Sequence, residues 1–190
     1  MTAKLIFLAG SARKESFNKK LAKAASEKAK ELGADVTYID LADYPMPLYC
    51  EDYEEENGLP ENAKKLQKLF TDHDGFLISC PEYNSSYTPL IKNTLDWISR
   101  PSDNKDIAPY KGKITALMSA SPGALGGIRG LPQLRHVLSN ISMNGTHVIP
   151  LQFCLGNANK TFDDSGNYTG DNPMFEATVK QFVETAQTLG

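Results

Sequence analysis

Leu5-Ile6-Phe7-Leu8-Ala9-Gly10-Ser11-Ala12-Arg13-Lys14-Glu15-Ser16-Phe17-Asn18 sets the architecture of this chain. The opening residues are continuously apolar, which suits a strand covered by helices on both faces. From Phe17 onward, Phe17, Leu21, Ala25, Ala29 and Leu32 recur at helical spacing with lysines and glutamates between them, until Gly33 ends the run. Between strand and helix lies a polar loop, Gly10 to Asn18. A helix start leaves backbone N–H groups unpaired and carries the positive end of the helix dipole, so the loop is a seat for an anion. Ser11, Arg13, Ser16 and Asn18 add neutral hydrogen-bonding groups and a guanidinium fork suited to phosphate oxygens. The loop reads as the phosphate seat of a nucleotide-like molecule. It contains neither GxGxxG, since Gly10 has no partner glycines, nor GxxxxGK[ST]. Without those glycines, Asp40 reads as a strand-end residue and not as the ribose-binding acid of a dinucleotide site.

The same strand–loop–helix alternation continues to the end. Val36-Thr37-Tyr38-Ile39 is a second strand. Residues 41–60, with Pro45, Pro47, Gly58 and Pro60, form a long irregular excursion that carries an acidic patch from Glu51 to Glu56. The patch reads as a solvated face, with a flap over a site or a contact to a partner subunit as the functional alternative. Ala63, Leu66, Leu69 and Phe70 mark a helix, and Gly75 to Cys80 a third strand. Thr88 caps and Pro89 opens the next helix, whose apolar positions include Leu90, Ile91, Leu95, Trp97 and Ile98. A polar loop leads to a fourth strand, Ile114 to Met118. Leu131, Leu134, Val137, Leu138 and Ile141 mark another helix, Thr146 to Ile149 a fifth strand, and Phe175, Val179, Phe182, Val183 and Ala186 the last helix. Five strands alternating with five helices predict an α/β fold, a three-layer sandwich with right-handed crossovers. The flavodoxin-like strand order 2-1-3-4-5 suits one short parallel sheet best. A single domain over 1–190 is expected.

Composition narrows the function. The chain has 190 residues, 41% hydrophobic and 23% charged, with a formal net charge of -3. It has no global basic field for nucleic acid or an anionic membrane, and no apolar run near the roughly 18 residues of a membrane span. The N-terminus is too short in apolar residues for a secretory signal, so a cytoplasmic protein is expected. Cys50, Cys80 and Cys154 are far apart and lack CxxC spacing, and the three histidines are scattered; reduced thiols and no metal site follow.

In the order 2-1-3-4-5, the loops after strands 1, 3 and 4 meet at the carboxyl edge of the sheet, at the topological switch point where such sheets bind ligands. The second loop, Pro81-Glu82-Tyr83-Asn84, offers an aromatic wall and polar groups for the edge of a flat heteroaromatic ring. In the third, Ser119-Ala120-Ser121-Pro122-Gly123-Ala124-Leu125-Gly126-Gly127, the glycines allow close backbone approach, and N–H groups there can stabilise charge on a reduced ring. Phosphate at one end and a ring at the other point to FMN.

Gly10-Ser11-x-Arg13-x-x-Ser16-x-Asn18, Pro81-Glu82-Tyr83-Asn84, Lys92-Asn93-x-x-Asp96-Trp97, and Ser119-x-Ser121-Pro122-Gly123 followed by Gly126-Gly127-x-Arg129 occur in that sequence order. Together they resemble the NAD(P)H-dependent FMN reductases, a family that includes quinone, azo-dye and chromate reductases. The resemblance implies that Ser11, Arg13, Ser16 and Asn18 bind the FMN phosphate. It implies that Pro81, Glu82, Tyr83 and Asn84 run along the ring and ribityl chain, and that Ser119, Ser121, Gly123, Gly126 and Gly127 approach the ring's other side. It implies ping-pong transfer from NADPH or NADH to bound FMN and on to a quinone-like acceptor, in a homodimer or homotetramer. Lys92, Asn93, Asp96 and Trp97 then look like packing and interface residues. Arg13, Lys14, Arg100 and Arg129 are the cations that could attract a 2′-phosphate. One departure stands out: where the family has Gly-Ser-x-Pro-Gly after the asparagine, this chain has Ser85-Ser86-Tyr87-Thr88-Pro89. The rival readings are a flavodoxin-like electron carrier and a flavin-binding protein without NAD(P)H turnover.

Overall fold

The computed structural model describes residues 2–101, 109–141 and 145–189. Its parallel strands are β1 (Lys4–Ala9), β2 (Asp35–Ile39), β3 (Gly75–Ser79), β4 (Ile114–Ala120) and β5 (His147–Leu155). They form one five-stranded sheet in the order β2-β1-β3-β4-β5, the order expected from the alternation of elements. The helices are α1 (Phe17–Glu31), α2 (Glu51–Asn57), α3 (Glu61–Thr71), α4 (Pro89–Ile98), α5 (Gly130–Asn140) and α6 (Pro173–Leu189).

The continuous apolar runs of the inner strands are explained by two cores, one on each face. Leu5 and Phe7 of β1, Leu77 of β3 and Met118 of β4 pack with Leu21, Ala25 and Ala29 of α1 and with Phe175, Val179 and Phe182 of α6. The alternate residues, Ile6, Leu8, Phe76, Ile78 and Leu117, pack with Leu66 and Phe70 of α3, Ile91 and Leu95 of α4, and Leu131 and Leu134 of α5. A strand places successive side chains on opposite faces, so a strand buried on both must be apolar at every position.

Two expectations change. β5 is longer than Thr146 to Ile149 and carries Pro150 within it. Proline cannot donate to a ladder, and β5 is tolerant of it because it lies at the sheet edge. The excursion 41–60 is also not wholly irregular. A 3₁₀ turn, Leu41–Asp43, follows β2, and the acidic stretch forms the seven-residue helix α2. The polar loop expected after α4 falls partly outside the described residues.

Candidate functional site

The site is assembled around Asn18. This residue is buried, 3% exposed, in the first turn of α1. Its Nδ2 donates to Ala120 O at 2.8 Å, and its Oδ1 accepts from Ala120 N at 3.0 Å and from Ser79 Oγ at 2.9 Å. One side chain thus joins the start of α1 to the ends of β3 and β4. Gly10 N donates to Ser79 O at 2.9 Å, and Cys80 N to Met118 O at 2.8 Å. The Thr88 hydroxyl, while capping α4, donates to Gly10 O at 2.8 Å. The loops after β1, β3 and β4 therefore leave one edge together. The Asn18 side chain makes this tie, while its backbone N–H lies in the first turn of α1, at the loop expected to seat the phosphate.

The loop after β1 holds the groups expected to meet an anion. Ser16 is the N-cap of α1, its hydroxyl oxygen accepting from Lys19 N at 3.4 Å, and its own proton has no acceptor among the described residues. Ser11 Oγ accepts from Arg13 N at 3.3 Å. The Arg13 and Lys14 side chains make no hydrogen bond or ion pair among the described residues. Asp40, at the end of β2, is occupied: it pairs with Lys19 at 2.6 Å and caps the turn that follows β2.

The loop after β3 is a tight reversal. Tyr83 N donates to Ser86 O at 2.8 Å and Ser86 N to Tyr83 O at 3.0 Å, with Asn84 at φ 49° and Ser85 at φ 66°. Positive φ at both central residues marks a primed hairpin turn, and asparagine is among the residues that tolerate it. Tyr83 is about half exposed, and the Asn84 amide has no partner among the described residues. The carboxylate of Glu82 is not free. Arg129 N donates to Oε2 at 2.8 Å, Arg129 Nε to Oε1 at 2.7 Å, and Arg129 Nη2 lies 2.6 Å from Oε1. Burial pushes this carboxyl up, but the hydrogen bonds from Arg129 outweigh it and hold Glu82 below the ordinary carboxylate range. Pro81 O accepts from the Cys80 thiol, which burial raises to about 11 despite contact with Thr88.

The loop after β4 lies over the strand ends. Ser121 N donates to Leu155 O, Ala158 N to Ser121 O, and Asn157 N to Gly123 O. Ser121 Oγ turns back to Gly123 O at 3.0 Å. Gly126 and Gly127 have φ 62° and 85°. A Cβ on Gly126 would stand 2.8 Å from the backbone of residues 154–156, and one on Gly127 would run into Ser119 Oγ. Ser119 lies within β4, fully buried beneath Gly127, and its hydroxyl has no partner among the described residues. Gly123 has no positive φ, and a Cβ there would meet only Ser121 Oγ at 3.7 Å, so no steric demand explains it.

The remaining motif residues face elsewhere. Lys92 and Asp96 pair within α4. Asn93 and Trp97 hold the excursion: Asn93 Nδ2 and Trp97 Nε1 both donate to Pro47 O, and Asn93 Oδ1 accepts from Tyr49 N. Tyr49 and Tyr53 pack edge-on against the Trp97 ring, and Arg100 pairs with Glu54 at 2.8 Å. Arg100 and Arg129 are therefore committed to carboxylates. Gln133, which sequence reading missed, accepts from Ser86 Oγ at 2.7 Å and donates to Ser85 O. A polar residue one turn into a helix carries no signal of this kind until its neighbour is known.

These features fit FMN. A helix start with free N–H groups and an unpaired guanidinium suits a phosphate. Two glycines with no room for a side chain allow a flat ring close to backbone.

Comparison with known proteins agrees. The family model for NADPH-dependent FMN reductase matches residues 3–160. A quinone reductase of Pseudomonas putida is 37% identical over 175 residues, covering 92% of this chain and 89% of the relative. A 2-hydroxy-1,4-benzoquinone reductase of a Burkholderia species is 36% identical over 144 residues, 75% of this chain and 74% of the relative. Among solved structures, a flavoenzyme NAD(P)H:(acceptor) oxidoreductase from Paracoccus denitrificans superposes with a TM-score of 0.79 at 25% identity, each chain fully covered. The chain belongs to the NADPH-dependent FMN reductase family, and is an oxidoreductase that works with FMN and NAD(P)H.

Proposed function

We propose that this member of the family reduces quinone-like acceptors, with FMN held in the crevice between the loops after β1, β3 and β4. The observation that carries the reading is the Asn18 tie, which brings those loops to one edge with the Arg13 guanidinium and the α1 N–H groups free. In this reading Arg13, the hydroxyls of Ser11 and Ser16, and the first backbone N–H groups of α1 hold the phosphate. Tyr83 walls one side of the ring, the Asn84 amide meets its polar edge, and the backbone of Ser121 to Gly127 covers the rest. Pro81 and Glu82 run along the ring and ribityl chain. FMN bound there would supply the redox chemistry, hydride acceptance from NAD(P)H alternating with electron donation to the acceptor. The chain itself needs no acid–base side chain beside the ring. The names of the relatives support a quinone as acceptor. We also propose a homodimer or homotetramer acting in the cytoplasm; no described helix is long and apolar enough to cross a membrane.

The test is Arg13→Ala. A charge-assisted hydrogen bond contributes about 1.5–3 kcal/mol, so FMN affinity should fall about ten- to a hundredfold, read by flavin fluorescence. Unchanged affinity would overturn the phosphate assignment.

A further inference from the structure

The loop after β3 is gripped twice by the start of α5. Gln133 holds Ser85 and Ser86 through uncharged hydrogen bonds. Arg129 holds Glu82 through three N–H groups. Gly130 sits so close that a Cβ there would stand 3.1 Å from Ser86 O. Anchoring alone is already served by the neutral half of this clasp. The charged half puts a carboxylate, 10% exposed, where the two ring-facing loops meet: a Cβ on Gly127 would lie 3.5 Å from Glu82 Cβ. The Arg129 side chain is 59% exposed on the outer side of the same junction. A lone carboxylate there would oppose the negative charge that a flavin ring gains on reduction. Paired, it presents almost none.

We infer that Glu82 and Arg129 are positioning residues whose pairing sets the charge beside the flavin ring and so its reduction potential. This rests on the placement of FMN proposed above. The two residues act in opposite senses. Arg129→Met strips the cation and leaves a bare carboxylate; Glu82→Gln strips the anion and leaves a bare guanidinium. A purely structural tie would be weakened in the same direction by either change.

The experiment measures the two-electron potential of bound FMN, together with FMN affinity, in the wild type and five variants. Arg129→Met should shift the ratio of reduced to oxidised FMN affinity about tenfold against the reduced form, which is about 30 mV downward. Glu82→Gln should shift it upward by a similar factor, and the double variant should return near the wild type. Gln133→Ala loosens the neutral half and should leave the potential in place. Arg129→Lys, which keeps the charge, should cancel most of the shift seen in Arg129→Met and guards against misfolding. A second readout needs no flavin. The Cys154 thiol is raised to about 11, first by burial and then by the negative charge of Glu82. Alkylation of Cys154 in the apoprotein should therefore be faster in Glu82→Gln. Shifts of the same sign in both single variants, or a Gln133→Ala shift as large as theirs, overturn the inference while FMN placement stands. A wild-type chain that does not take up FMN overturns both.

Discussion

At the residue scale, Arg13 and Asn18 share a loop and do different work. Arg13, without a side-chain partner among the described residues, is the cation we propose for the phosphate; Asn18 is a rivet. Asn18→Ala removes three buried hydrogen bonds and leaves Ala120 N–H, Ala120 C=O and Ser79 Oγ without partners. An abandoned buried polar group costs about 1–3 kcal/mol, and the three are coupled, so a loss of about 3 kcal/mol is expected. Denaturant unfolding checks this, with Arg13→Ala as the contrast: that variant should lose FMN affinity at nearly wild-type stability. Equal stability in both variants would remove Asn18 from the centre of the site. The two residues could not be separated in sequence. Asparagine is a good phosphate partner and an equally good tie, and only the neighbours across 102 positions decide.

At the scale of elements, the loop after β4 is fixed by how little room lies beneath it. Gly127→Ala meets Ser119 Oγ and adopts a positive φ that L side chains rarely hold. Each such strained residue costs about 1–3 kcal/mol, and the clash adds to it, so thermal unfolding should fall and FMN affinity with it. Ser119→Ala should be close to neutral in stability, because the hydroxyl it deletes has no partner among the described residues. A tolerated Gly127→Ala would show that the loop is not seated on β4. The elements themselves were legible in the chain. Runs apolar at every position can only be strands covered twice, and the order followed from there being five of them. The loops were legible as candidate sites because they break the pattern at strand ends. What was not legible is pairing: Glu82 with Arg129, Thr88 with Gly10, Gln133 with Ser86. The docking of residues 47–54 onto Asn93, Trp97 and Arg100 was equally hidden. Prolines and acids in a row read as irregular, while the tryptophan that organises them lies two elements away.

At the scale of the whole molecule, the buried acids make stability asymmetric in pH. Burial raises Cys80 to about 11. Tyr38 is raised to about 12, first by burial and then by Asp40 and Asp43. Burial also holds Tyr110 well above its ordinary value. These groups stay protonated in the fold while the unfolded chain releases protons near its ordinary values, about 8.5 for cysteine and 10 for tyrosine. The folded state then binds more protons than the unfolded one, so stability is full below about pH 8.5 and is lost as pH rises through 11 to 12. On the acid side the lowered carboxyls run the other way: their contribution is present above their ordinary values and fades as pH falls. Glu61, Asp72 and Asp163 are set low mainly by surface partners (Lys64, Lys68 and Asn167 in turn), where such contacts are screened by water. The melting temperature should therefore hold nearly level from about pH 6 to 8 and drop steeply above about pH 9, more sharply than on the acid side. One fully buried group titrating in only one state changes stability by at most about 1.4 kcal/mol per pH unit. Cys80→Ala should flatten the limb between about pH 9 and 11 while leaving the acid limb unchanged. A melting profile that stays level to pH 12, or one whose alkaline limb is the same with and without Cys80, would show that these groups are not held neutral by the fold.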